Sequence, residues 1–230
     1  LAGVVRQWMR EFDVPPYDYE TKRGTIRHIY VRTGEKSGEC QLTLISATRK
    51  LPALETLIER LREAEPSLTG ILINHNQRGD NVILGDQLRL LWGQSYITDS
   101  IGDISYQISP LSFFQVNPIQ TEKLYGKALE YAGLTGNETV WDLYCGIGTI
   151  SLFLAQKAKF VRGVEIVPQA IDNARENAKL NGIENVEFFV GKAEEVLPRE
   201  YEKNGVYADV IVVDPPRKGC DEVLLNTILK

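Results

Sequence analysis

From Pro118 onward the sequence alternates helical and strand patterns, and this rhythm limits the fold more than any other feature of the 230 residues. A helix predicted over 118–132 is followed by a strand over 139–143, a glycine-rich turn and a helix over 150–157. Strand 160–165, helix 168–180, strand 186–190, a short helix near 194–197 and strand 209–214 complete the series. Strands separated by helices pair in parallel, with helices on both faces, so the pattern predicts a doubly wound, mostly parallel α/β sheet. Pro168 falls where a first helical turn accepts it.

The first half has a different grammar. Ile29 and Val31, Leu42 and Leu44, Ile71 and Ile73, and Ile104, Tyr106 and Ile108 recur every second residue between Gly, Asn and Asp punctuation. That is the pattern of short strands in an antiparallel sheet. Leu51, Leu54, Ile58 and Leu61 fall at helical spacing, and Pro66 ends that helix. The expectation is a small α+β domain over 1–109 and a second domain over 110–230.

Composition narrows the classes. Lys and Arg number 26 against 31 Asp and Glu, a net charge of −5, which excludes a chain basic along its whole length. No run of about 18 apolar residues is present to span a bilayer as a helix. Cys40, Cys145 and Cys220 are too sparse for a disulfide framework and fit a reducing, cytoplasmic setting. With only His28 and His75 and no paired cysteines, no metal site is expected.

Asp142-Leu-Tyr-Cys-Gly-Ile-Gly-Thr149 closes the first strand of the alternating half. Gly146 and Gly148 let backbone come close to a ligand at the sheet's carboxyl edge. Glu165 ends the next strand, where a carboxylate can accept hydrogen bonds from ribose hydroxyls. A dinucleotide site places a third glycine where this chain has Ser151. Asp142 suits an ammonium better than a phosphate. The turn therefore favours S-adenosylmethionine, which carries an amino group and a sulfonium and no phosphate, over NAD.

These residues carry a resemblance. DLYCGIGT with the VRGVEI strand resembles the cofactor site of class I methyltransferases, with their Rossmann-like fold. Ser112-Phe-Phe-Gln-Val-Asn-Pro118 before it and Asp214-Pro-Pro-Arg-Lys-Gly219 after it are similar to the RNA uracil-5-methyltransferase family, which modifies 23S ribosomal RNA and tRNA. The likeness covers about residues 111–230, in three motifs in order.

The resemblance implies that Gln115, Tyr144, Gly146, Gly148, Glu165 and Asp214 bind S-adenosylmethionine, and that Arg217 and Lys218 reach a substrate phosphate. Lys192 stands where many methyltransferases have an acid for the adenine amino group; Glu194 or backbone groups are the alternatives for that contact. Amino-methyltransferases carry an aromatic residue after Asp/Asn-Pro-Pro to stack the base. Arg217 stands there instead, which favours methylation at a ring carbon. The family makes uracil C5 nucleophilic by adding a cysteine thiolate to C6 and then removes the C5 proton with a general base. Both groups are expected beyond Lys230, so the catalytic residues of the adduct are unknown within this chain. Cys145 reads as buried packing, and Cys220 lies at a position that the family does not use.

The expected activity is methylation of uracil C5 in RNA, with 23S ribosomal RNA ahead of tRNA. An amino-methyltransferase of rRNA or DNA is the alternative enzyme, and a non-catalytic RNA-binding module the alternative of a different class. The chain begins without Met in an apparent helix (Val4, Val5, Trp8, Met9, Phe12), and further segments are expected at both ends, among them an RNA-binding module. The chain is expected to be monomeric. Residues 1–110 carry 13 basic and 14 acidic residues against 13 and 17 in 111–230, so the excess acid lies in the half expected to hold a cationic cofactor. The basic run Lys22, Arg23, Arg27, Arg32 and Lys36, with Tyr30 interleaved, is expected to follow RNA phosphates and stack a base.

Overall fold

The computed structural model describes residues 1–229. The chain divides into two compact units, 1–99 with 109–111, and 100–108 with 112–230.

The first unit runs α1 (Ala2–Glu11), β1 (Ile26–Thr33), β2 (Cys40–Ser46), α2 (Leu54–Ala64), β3 (Leu68–His75) and β4 (Gln87–Gly93). Its four strands lie in sequence order. β1 and β4 are antiparallel to their neighbours, but β2 and β3 are parallel, so the antiparallel sheet expected here is in fact mixed. The cause is α2, which carries the chain back between β2 and β3; a helical crossover joins parallel neighbours. Leu42, Leu44, Ile71 and Ile73 pack with Val5 and Trp8 of α1 and with Leu57 and Leu61 of α2 in one apolar cluster.

The basic run is largely engaged inside this unit, against expectation. Arg27 is only 7% exposed. Its guanidinium donates to the carbonyls of Asn76 (3.0 Å) and Arg78 (2.7 Å) and lies 4.8 and 5.2 Å from the ring centres of Tyr17 and Tyr19. Arg32 donates to the Ser109 carbonyl and to the Tyr30 hydroxyl, each at 2.8 Å. Lys22 donates to the Gly79 carbonyl at 3.1 Å. The charges at 27 and 32 thus hold loops together, and the Tyr30 hydroxyl is occupied by Arg32.

β5 (Ile97–Ile101) and β6 (Ile104–Ile108) form a two-stranded sheet. The second unit continues through α3 (Pro118–Ala132), β7 (Thr139–Leu143), α4 (Thr149–Ala155), β8 (Phe160–Glu165), α5 (Pro168–Leu180), β9 (Val186–Val190), α6 (Ala193–Asn204), β10 (Val210–Val213) and α7 (Glu222–Ile228). The boundary was expected after 109, but residues 100–108 pack with the second unit. Side chains of α5 and its C-cap hold β6: the C-cap Asn181 accepts from the Ser105 amide (2.9 Å) and Asn177 from the Gln107 amide (2.8 Å).

The main sheet of this unit has the order β10-β7-β8-β9, all parallel. One face packs Trp141, Leu143 and Val164 against Val196 and Leu197 of α6 and Leu224 of α7. The other packs Val140 and Val161 against Leu154 and Ala155 of α4. Layers on both faces make the sheet doubly wound, as its rhythm predicted. α6 runs well past the short helix expected near 194–197, through Pro198. A proline there removes one helical bond; burial of the apolar Val196 and Leu197 beside it offsets that loss.

The chain winds outward from β7 to β9 and then sets β10 on the other side of β7. Such a sheet changes direction between β10 and β7, and the crevice at the carboxyl ends of those strands is where doubly wound sheets take their ligands.

Candidate cofactor site

Three carboxylates stand at the carboxyl ends of three neighbouring strands. Asp142 lies in β7, Glu165 ends β8, and Asp214 directly follows β10. Asp142 is fully buried. Its Oδ2 accepts from the Ser151 hydroxyl at 2.6 Å, while Oδ1 has no partner among the described residues. Burial pushes its carboxyl up to about 6, helped by the charges of Asp214 and Glu165 and opposed by the Ser151 bond. None of the three carboxylates is in an ion pair among the described residues. A site of this kind gains free energy from a cation.

The turn between β7 and α4 is built for close approach. Gly146 and Gly148 adopt φ of +55° and +81°, a region that side chains disfavour. A Cβ on Gly148 would stand 3.2 Å from Ala174 and from the Phe188 ring. Glu165 braces the turn, since its Oε2 accepts from the Gly146 amide (3.2 Å) and its Oε1 from the Val167 amide (2.9 Å). These bonds fix the carboxylate but leave it lone pairs for further donors.

Tyr144 also has a positive φ, +73°. Its backbone belongs to the turn, and its amide donates to the Val164 carbonyl at 2.9 Å. Its ring packs against the apolar cluster that contains Ala193 and Leu224, with Cys220 beside it. Burial raises the Tyr144 hydroxyl, and Cys220 adds to the shift. Cys145 is buried, and burial pushes its thiol far above the usual range. Its sulfur lies 2.9 Å from where a Cβ on Gly163 would sit, so it fills space between β7 and β8. Burial raises the Cys40 thiol as well.

Gln115 is half-buried in the wall of a cleft of about 430 Å³, shared with Asn117 and with Gln120, Thr121, Lys123, Leu124 and Lys127 of α3. The structure brings Tyr144, Gly146, Gly148, Glu165 and Asp214 to one sheet edge; no hydrogen bond joins Gln115 to them among the described residues. Arg217 and Lys218 are exposed in a turn closed by the Gly219 amide on the Pro216 carbonyl (2.8 Å). Lys192 is ion-paired with Glu195 at 3.1 Å. Among the described residues no group of three or more His, Cys, Asp or Glu could hold a metal, and no helix is long and apolar enough to cross a membrane.

Sequence reading named the glycines and Glu165 but left Asp142 as a neighbour of the site. The burial of Asp142, with one of its own oxygens unpartnered, is a property of the fold and not of the local sequence.

Residues 134–226 match the family model described as a methyltransferase domain. The Pyrococcus abyssi tRNA (uracil-54, C5)-methyltransferase, solved in complex with S-adenosyl-L-homocysteine, superposes with a TM-score of 0.82 at 26% identity, over 98% of this chain and 53% of that one. The second unit has the Rossmann-like class I methyltransferase fold. The M. jannaschii tRNA m1G37 methyltransferase shares the fold at a TM-score of 0.51 and 17% identity, over 87% of this chain and 57% of that one. Two relatives named as uncharacterized RNA methyltransferases are closer in sequence. That of Halalkalibacterium halodurans is 57% identical over 98% of this chain and 49% of its own length. That of Clostridium acetobutylicum is 52% identical over the same shares. The chain spans about half the length of the curated relatives it matches. In the methyltransferase-fold unit, the three carboxylates and the glycine turn lie at the carboxyl ends of β10, β7 and β8, the first two of which flank the switch in strand order.

Proposed function

We propose that this chain is the cofactor-binding part of an RNA methyltransferase that uses S-adenosylmethionine and methylates uracil at C5. The observation that carries the reading is the fully buried Asp142, with one oxygen unpartnered, beside Glu165 and Asp214 at a glycine turn. That arrangement suits a ligand with a ribose and positive charge and repels one with phosphates. The names of the relatives and the match over 134–226 support the class of reaction. The Ser112–Pro118 and Asp214–Gly219 motifs support C5 of uracil.

S-adenosylmethionine, when bound, supplies an electrophilic methyl group. Gly146 and Gly148 let the turn's backbone approach it. Glu165 accepts from the ribose hydroxyls through its remaining lone pairs. Asp142 and Asp214 set the negative potential that favours an ammonium, and the Gln115 amide donates and accepts near the methionine end. Tyr144 contributes its backbone to the pocket wall. Arg217 and Lys218, exposed beside Asp214, neutralise a phosphate of the bound RNA. The target uridine leaves its stack so that its ring reaches the sheet edge. Burial raises the Cys40 and Cys145 thiols and keeps them protonated, so neither supplies the thiolate that adds to C6.

Ribosomal RNA is the expected substrate, and the Pyrococcus neighbour is, by its name, a tRNA enzyme. Tritium release from RNA labelled at uracil C5, measured with the full-length protein on 23S and tRNA transcripts, tests the reaction and assigns the RNA. Release with one transcript supports the reading. Methyl transfer without release points to an exocyclic nitrogen and overturns it.

A further inference from the structure

α5 carries Asn173 and Asn177, and its C-cap residue Asn181 follows at the same four-residue spacing, which sets the three along one side of the helix. Each reaches outside the helix. Asn173 donates to the Ser112 hydroxyl at 3.1 Å. Asn181 accepts from the Ser105 amide and donates to the Ser105 carbonyl at 2.7 Å. Asn177 accepts from the Gln107 amide at 2.8 Å and donates to the Ile147 carbonyl at 3.2 Å. Ser105 and Gln107 are two apart, so both present their backbone groups to the same edge of β6. The asparagine amides complete that edge as a neighbouring strand would.

Asn177 is completely buried. A buried amide is costly unless both of its ends are bonded. Here one end holds β6 and the other holds the residue between the turn's two glycines. A second link runs in parallel: the buried Tyr106 of β6 donates its hydroxyl to the Thr149 carbonyl at 2.9 Å. Tyr125 of α3 donates to the Thr149 hydroxyl, also at 2.9 Å. The residues on both sides of Gly148 are thus held from outside, while α4 has no side-chain cap of its own. On the other side, Tyr106 packs against Phe114 at 5.8 Å between ring centres, and Gln115 follows directly.

We propose that Asn177 is a positioning residue of the cofactor site. Through it, the asparagine row of α5 ties the Gly146–Gly148 turn to the segment that carries Gln115, so that both are set together. The inference rests on the reading of the turn as the cofactor site.

The test is calorimetric titration of the full-length protein with S-adenosylhomocysteine, with thermal unfolding recorded beside it. Asn177→Asp keeps the acceptor for Gln107 and loses the donor to Ile147; the expected affinity is about tenfold weaker, and Tyr106→Phe, which loses one hydroxyl, weakens it about threefold. Gln115→Ala loses less affinity in the Asn177→Asp background than in the wild type, a coupling that a merely structural asparagine would not give. Variants that melt earlier but bind as wild type, with additive effects, overturn the inference. If Asn177→Asp does not fold, Tyr106→Phe decides by the same criterion. A wild type that does not bind overturns the cofactor reading itself, whereas unchanged variants beside a binding wild type overturn the positioning role alone.

Discussion

Arg27 in the first unit and Asp142 in the second are both buried charges at the ends of a sheet's core, and their surroundings are opposite. Arg27 gives its donors to loop carbonyls and lies against the rings of two tyrosines. Asp142 has a single hydroxyl partner, two carboxylates nearby and an oxygen with no donor. A satisfied buried charge acts as a fastener, whereas an unsatisfied one is a standing cost that a ligand of opposite sign relieves. The two residues therefore separate structure from binding more sharply than net charge does.

The comparison can be broken from either side. The largest effect is expected at Arg27. Arg27→Ala leaves the Asn76 and Arg78 carbonyls without this donor and removes the cation beside Tyr17 and Tyr19, a loss of about 3 kcal/mol of stability. Chemical denaturation measures it, and affinity for S-adenosylhomocysteine is expected to stay at the wild-type value. A stable variant with lost cofactor affinity would make Arg27 the functional charge and reverse the contrast.

Asp142 gives a smaller effect, visible in its pH dependence. Its folded carboxyl is raised to about 6, above the unfolded range, so the folded state holds the proton more tightly. That contribution to stability is present at low pH and is lost as pH rises to about 6. Cofactor affinity runs the other way, because a cationic ligand prefers the ionised acid and binds more tightly as pH rises from about 5 to 7. Asp142→Asn is expected to flatten both slopes, read as the difference between variant and wild-type titrations. An unchanged pH profile of binding would remove Asp142 from the site.

The alternating half was the more legible one. β7, β8 and β9 span the expected residues, because buried strands and amphipathic helices write their periods plainly. β4 is hard to read because the alternation of Leu88 and Leu90 is cut short at Leu91 and Trp92, where the pairing with β3 shifts register, and none of its residues is fully buried. β5 escaped because an aspartate, Asp99, takes one of its inward positions; its carboxylate accepts from the Glu35 and Lys36 amides. The parallel pairing of β2 with β3 required the helix between them to be read as a crossover. At the site, glycines and strand-end acids stand out by type and spacing. The row of asparagines does not, because nothing in their spacing tells a bonded, buried amide from a solvated one, and Arg27 and Arg32 looked like surface charges for the same reason.

The central claim is that the strand-end acids of the second unit hold a cofactor that bears a ribose and an ammonium group. Calorimetry of S-adenosylhomocysteine with wild type and Glu165→Ala tests it most directly. The account predicts one site per chain in the wild type and a loss of about thirtyfold or more in the variant, as two charge-assisted hydrogen bonds to the ribose are removed. Equal binding by the two proteins, or none by the wild type, would contradict it.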